Sequence, residues 1–188
     1  MIRNAGYVMS LIIDPAGRAK KAQVGVDLTL GKVSRIGGNP SLVYGANFNN
    51  CGVILNDSST IEKPHLQAHP TEYTEVLPNE IPDGSGSRLL WGLDHGVYSV
   101  EFEQGLLPLP ANCTAMIINR STIGRSGSLI RSSVYDPGFA TPLMGAIMYV
   151  FTPIMIEKYA RVAQILIFEN EAVEVLYNGA YQGPKDFR

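Results

Sequence analysis

Cysteine, histidine and tryptophan are scarce in this chain, at two, three and one in 188 residues. Cys51 and Cys113 stand far apart in unrelated surroundings, which excludes a disulfide scaffold and any cysteine-based metal spacing. They read as two reduced, buried thiols, with a disulfide between them as the weaker option. His65, His69 and His95 sit in no His-x-Glu motif, no Pro-Cys-x-x-Cys accompanies them, and they read as surface or loop residues. An excess of one charge is also lacking. With 15 basic and 17 acidic side chains the net charge is −2, which argues against general nucleic-acid binding. No apolar run approaches the length of about 18 residues that a membrane helix needs, and Met1 to Gly6 has no basic start followed by an apolar stretch. The expectation is a cytoplasmic protein without a membrane partner.

What is present is a globular composition, 45% apolar and 17% charged, long enough for one cored domain over residues 1–188. Nineteen glycines and 12 prolines cut it into short pieces. One short helix is expected, from Ala5 to Ile13, closed by the turn Asp14-Pro15-Ala16-Gly17. Strand-like runs follow at Val24–Leu30, Val53–Leu55, Tyr98–Phe102, Thr114–Ile118, Ile147–Phe151, Ala163–Phe168 and Ala172–Leu176. Turn residues separate them, which predicts a mainly β barrel or sandwich. Residues 37–88 read as long loops and edge hairpins of the same domain.

Polar groups are presented where these runs end. Arg120-Ser121-Thr122-Ile123-Gly124-Arg125 puts two guanidinium groups and two hydroxyls on a predicted turn, a donor set suited to phosphate oxygens. Taken alone, it reads more readily as a polar hairpin, since Arg and Ser are common in turns. Asp136-Pro137-Gly138-Phe139 reads as a tight turn, with proline fixing φ and glycine relieving steric limits. Arg161-Val162-Ala163-Gln164 leads into a fully apolar run, and Gly25-Val26-Asp27-Leu28 precedes another. Arg120, Arg125, Arg131 and Arg161 are the local cations available to an anionic small molecule.

In order and spacing these segments resemble the deoxyuridine triphosphatase and deoxycytidine triphosphate deaminase superfamily. The resemblance implies a dUTPase-like distorted β-barrel or jelly roll with a short N-terminal helix, assembled as a homotrimer that binds a pyrimidine deoxynucleoside triphosphate between subunits. By its motifs Arg120, Ser121, Thr122, Arg125 and Gln164 would hold the triphosphate. Asp136 would orient the attacking water, and Phe139 would pack on the deoxyribose. Asp27 falls in the deaminase branch's early motif, where a structural carboxylate is favoured over a metal ligand. Tyr177-Asn178-Gly179-Ala180-Tyr181-Gln182 resembles that branch's tail, so Tyr177, Tyr181 and Gln182 would act within a lid at 177–188, although Ala180 replaces its lysine. Mg²⁺ would be carried mainly by the substrate's phosphates.

One departure is chemical. The deaminases of this superfamily use a glutamate about ten residues beyond the turn aspartate as acid and base. Ala146 or Val150 stands there, depending on alignment, and 137–156 contains no charged residue. The expected activity is therefore hydrolysis of dUTP, or a related pyrimidine triphosphate, to the monophosphate and pyrophosphate. Two alternatives are a dCTP deaminase drawing its carboxylate from elsewhere, with Glu157, Glu169 and Glu171 as poor candidates, and a non-catalytic nucleotide-binding or regulatory protein.

Overall fold

The structure is a computed structural model that describes residues 1–37, 53–54, 67–68, 72–84 and 86–178. Its described strands, in chain order, are β1 Ile12–Ile13, β2 Lys20–Lys21, β3 Val26–Gly37, β4 Val53–Ile54, β5 Gln67–Ala68, β6 Glu72–Glu75, β7 Asn79–Pro82 and β8 Ser87–Leu93. They continue as β9 Gly96–Phe102, β10 Gly105–Leu106, β11 Cys113–Asn119, β12 Ser128–Arg131, β13 Gly145–Val150, β14 Ile154–Glu157 and β15 Arg161–Glu169. Two short helices are described, α1 Ala5–Ser10 and α2 Ser121–Arg125.

Alternation of side chains builds the core. In β9, Tyr98, Val100 and Phe102 are buried while Ser99 and Glu101 face outward, and β13 buries Ala146, Met148 and Val150 in the same rhythm. The main sheet runs β15-β11-β12-β13-β9-β3, and β3 pairs again with β15, so six antiparallel strands close on themselves. Closure removes the exposed edges that short strands would otherwise carry. The β3–β15 seam needs a glycine at position 25, because a Cβ there would run into the carbonyl oxygen of Ile165. A smaller sheet, β14-β8-β7, lies beside the barrel and buries Trp91, whose indole N–H donates to the Val76 carbonyl at 2.8 Å.

Several expectations shift. Asn4 caps α1, its side chain accepting from the Tyr7 amide at 3.0 Å, but the helix stops at Ser10, and Ile12–Ile13 pairs with β10 instead of extending it. Ala172–Leu176 is not a strand: Val173 donates to the Ala111 carbonyl and Tyr177 to that of Pro137, and no ladder forms. Conversely β8, β12 and β14 lie in stretches too short or too mixed to register as strands. Cys113 is a free, buried thiol 3.5 Å from the Tyr7 hydroxyl, whereas Cys51 lies outside the described residues. Among the described residues no helix is long and apolar enough to cross a membrane.

Candidate functional site

The predicted site residues fall into two places on one chain. The first is a cleft of about 520 Å³ on the outer face of β9, β12 and β13, lined by Asp136, Phe139 and Tyr177 among others. Asp136-Pro137-Gly138-Phe139 closes as a turn, the Phe139 amide donating to the Asp136 carbonyl at 3.0 Å with Gly138 at φ 86°. Proline before a left-handed glycine is the signature of a type II turn, which leaves the Asp136 side chain exposed. The Tyr135 hydroxyl donates to the Gly145 carbonyl at 2.7 Å and ties the turn to β13; burial pushes this phenol above its usual range.

Phe139 is 93% enclosed, being only 7% exposed, and stacks on Tyr135 with ring centroids 4.8 Å apart. Tyr177 meets it edge-on at 5.6 Å. Tyr177 lies over the Asp136 turn of the same chain, its amide donating to the Pro137 carbonyl at 2.8 Å. Tyr181 and Gln182 lie outside the described residues.

The second place is a smaller cleft, about 400 Å³, lined by Lys20, Lys21, Arg120, Arg161 and Gln164 around Asp27. Asp27, 4% exposed, accepts from Gln164 Nε2 at 2.9 Å and lies 3.3 Å from Arg120 Nε and 3.4 Å from Arg161 Nη1. Strand register makes this meeting possible, since Asp27 stands opposite both Gln164 and Lys20. Arg120 also donates to the Arg161 carbonyl at 3.2 Å. Before β15, the turn at Glu157–Ala160 holds Tyr159 at a left-handed φ of 65°, with the Arg18 guanidinium 3.7 Å from its ring centroid. The Gln164 amide is thus spent on Asp27. One acid among four cations leaves the cleft basic.

The predicted turn after Arg120 is a helical turn instead. Ser121, Thr122 and Arg125 are exposed on α2 and line neither cleft, while Ile123 anchors the turn in the core. One residue escaped the sequence reading. Glu101 lines the Asp136 cleft from β9, opposite Gly145, although it lies far outside the charge-free 137–156 segment. Its signal was alternation: an acidic residue between buried Val100 and Phe102 must face outward. Glu157 and Glu169 pair with Arg88 and Arg3 away from the cleft, and Glu171 is exposed.

A family model described as dCTP deaminase-like matches residues 104–170, from the end of β9 through β15. The chain is 40% identical over 92 residues to the deoxyuridine 5'-triphosphate nucleotidohydrolase of Methanocaldococcus jannaschii, covering 48% of this chain and 57% of that protein. Both matches are to the dUTPase/dCTP deaminase superfamily that the sequence resembles. The chain is also 31% identical over 93 residues to a probable deoxyuridine 5'-triphosphate nucleotidohydrolase of Methanosarcina mazei, covering 48% and 53% of the two chains. The chain spans about half the length of the curated relatives it matches. Among superfamily structures, the 2'-deoxycytidine 5'-triphosphate deaminase of Agrobacterium tumefaciens superimposes with a TM-score of 0.53 at 16% identity, over 88% of this chain and 46% of that one. That likeness supports the barrel.

Proposed function

We propose that the chain, acting as one domain over 1–188, hydrolyses dUTP or a closely related pyrimidine deoxynucleoside triphosphate to the monophosphate and pyrophosphate. The observation that carries this reading is the exposed Asp136 carboxylate on a rigid turn beside Phe139, in a cleft whose β13 wall offers Gly145, Ala146 and Ile147 and no acid. Asp136 orients a water and accepts its proton as the water oxygen attacks phosphorus; the bond to the leaving pyrophosphate breaks, and the negative charge stays on phosphate oxygens.

Arg120 and Gln164, organised by Asp27, sit in the other cleft. In this reading the subunits form a homotrimer in which the basic cleft of one supplies the phosphate contacts for the Asp136 cleft of its neighbour. A shared site accounts for the separation of the two groups on one chain. Ser121, Thr122 and Arg125, exposed on α2, and the tail with Tyr181 and Gln182 complete it. Asp27 is enclosed by Arg120, Arg161 and Gln164, and no three metal-ligating side chains converge among the described residues, so Mg²⁺ enters on the phosphates. A cytoplasmic place beside the nucleotide pool goes with this activity.

With Mg²⁺ and dUTP the protein is expected to release pyrophosphate, and Asp136→Asn to retain nucleotide affinity while losing at least about a hundredfold in turnover, because an amide keeps the shape but cannot take the proton. Undiminished release by that variant would remove Asp136 from the chemistry. Ammonia from dCTP would favour the deaminase alternative, and tight binding without either product a regulatory role.

A further inference from the structure

Two charged side chains line the cleft beside Asp136: Glu101, and Arg131, one of the cations that the sequence offers to an anionic ligand. On the outer face of the barrel Glu101 in β9 stands opposite Gly145, and Arg131 in β12 stands opposite Ile147, so the two flank β13 from opposite sides. Ser99 faces Ile147 from the Glu101 side. All of them line the same 520 Å³ cleft.

Neither charge is fully used. The Glu101 side chain is 30% exposed, and its ion-pair partner, Lys32, lies 3.9 Å away and is shared with Glu75 at 3.6 Å. Arg131 takes part in the sheet through its backbone, and its guanidinium makes no hydrogen bond or ion pair with any described residue. Covering such groups with a ligand is unfavourable unless the ligand supplies partners. A carboxylate accepts only from donors, and a guanidinium donates only to acceptors. The flat edge of a pyrimidine ring presents both kinds side by side. Uracil has N–H at N3 and a carbonyl at C4, whereas cytosine has a bare N3 and an amine at C4, so the donor order is reversed. A carboxylate and a guanidinium on either side of an apolar floor match one order and leave the other with opposed or unpaired groups.

Resting on the nucleotide reading above, we propose that Glu101 and Arg131 are the side chains that read the pyrimidine edge in the Asp136 cleft and set which base is accepted. Calorimetry with dUMP and dCMP tests this without turnover. The unaltered protein prefers one of the two by at least about tenfold, as sites built on matched polar groups do. Glu101→Gln, which can donate as well as accept, and Arg131→Gln, which loses the charge, each bring the preference to within about threefold. Arg120→Ala weakens both ligands alike and leaves their ratio unchanged.

Equal binding of dUMP and dCMP by the unaltered protein, or a ratio unchanged in both variants, would overturn the assignment while leaving the nucleotide reading intact. Absence of binding by the unaltered protein would take down both. Ammonia release from dCTP that disappears in Glu101→Gln would also overturn it, making Glu101 a proton carrier instead of a reader.

Discussion

Asp27 shows how one side chain can organise others. It is buried between two guanidinium groups that are each about one-third exposed, and it takes the Gln164 amide as well. Asp27→Ala leaves Arg120 and Arg161 to repel each other and the amide unpaired, so it is expected to cost about 1–3 kcal/mol in urea denaturation, less than a fully buried pair because water screens the arginines. A loss below about 0.5 kcal/mol would mean that the cluster contributes no stability. Tyr135 gives a pH-dependent counterpart. Burial raises its folded-state pKa. The unfolded phenol ionises near about pH 10, so the stability contributed by neutral Tyr135 is fully present below that pH and is lost as pH rises towards the folded value. Tyr135→Phe should cost about 1 kcal/mol at neutral pH, and its gap from the unaltered protein should narrow at about pH 11. A gap independent of pH would contradict the burial of that hydroxyl.

The β3–β15 seam closes the barrel and places Asp27 against Gln164. Gly25→Ala would drive a Cβ into the Ile165 carbonyl, and since backbone there cannot yield without breaking the ladder, a loss above about 2 kcal/mol is expected in thermal unfolding. A neutral effect would mean the seam is looser than its register. Elements of this kind were legible where local pattern and tertiary demand agreed. β9, β11 and β15 were foreseen because their apolar alternation or continuity matches two-sided packing in a closed sheet. β12 and β8 were not, because Ser128–Arg131 is short and Ser87–Leu93 begins with polar residues; their partners, not their propensities, make them strands. Ala172–Leu176 was the opposite error, an apolar run whose amide groups are drawn to Ala111 and Pro137. The helical turn α2 is hidden because Arg and Ser are common in turns and the helix is only five residues long. Asp136 and Phe139 were visible through the Pro-Gly turn chemistry, whereas Glu101 was not, since only strand register brings β9 beside that turn.

At the scale of the molecule, the proposed hydrolysis calls for a site shared between subunits. One chain carries the Asp136 cleft and the Arg120–Gln164 cleft as separate features, and a homotrimer would bring the second of one subunit to the first of the next. A stable monomer with full triphosphate affinity in sedimentation would oppose that arrangement. Subunit mixing tests it most directly. Arg120→Ala and Asp136→Asn homotrimers should each hydrolyse dUTP poorly. Unfolded together in equal amounts and refolded, they should regain activity in about a quarter of the sites, those pairing an intact Asp136 with a neighbour's intact Arg120. Mixed protein no more active than its two parents, under conditions in which refolded unaltered protein recovers fully, would contradict the shared site.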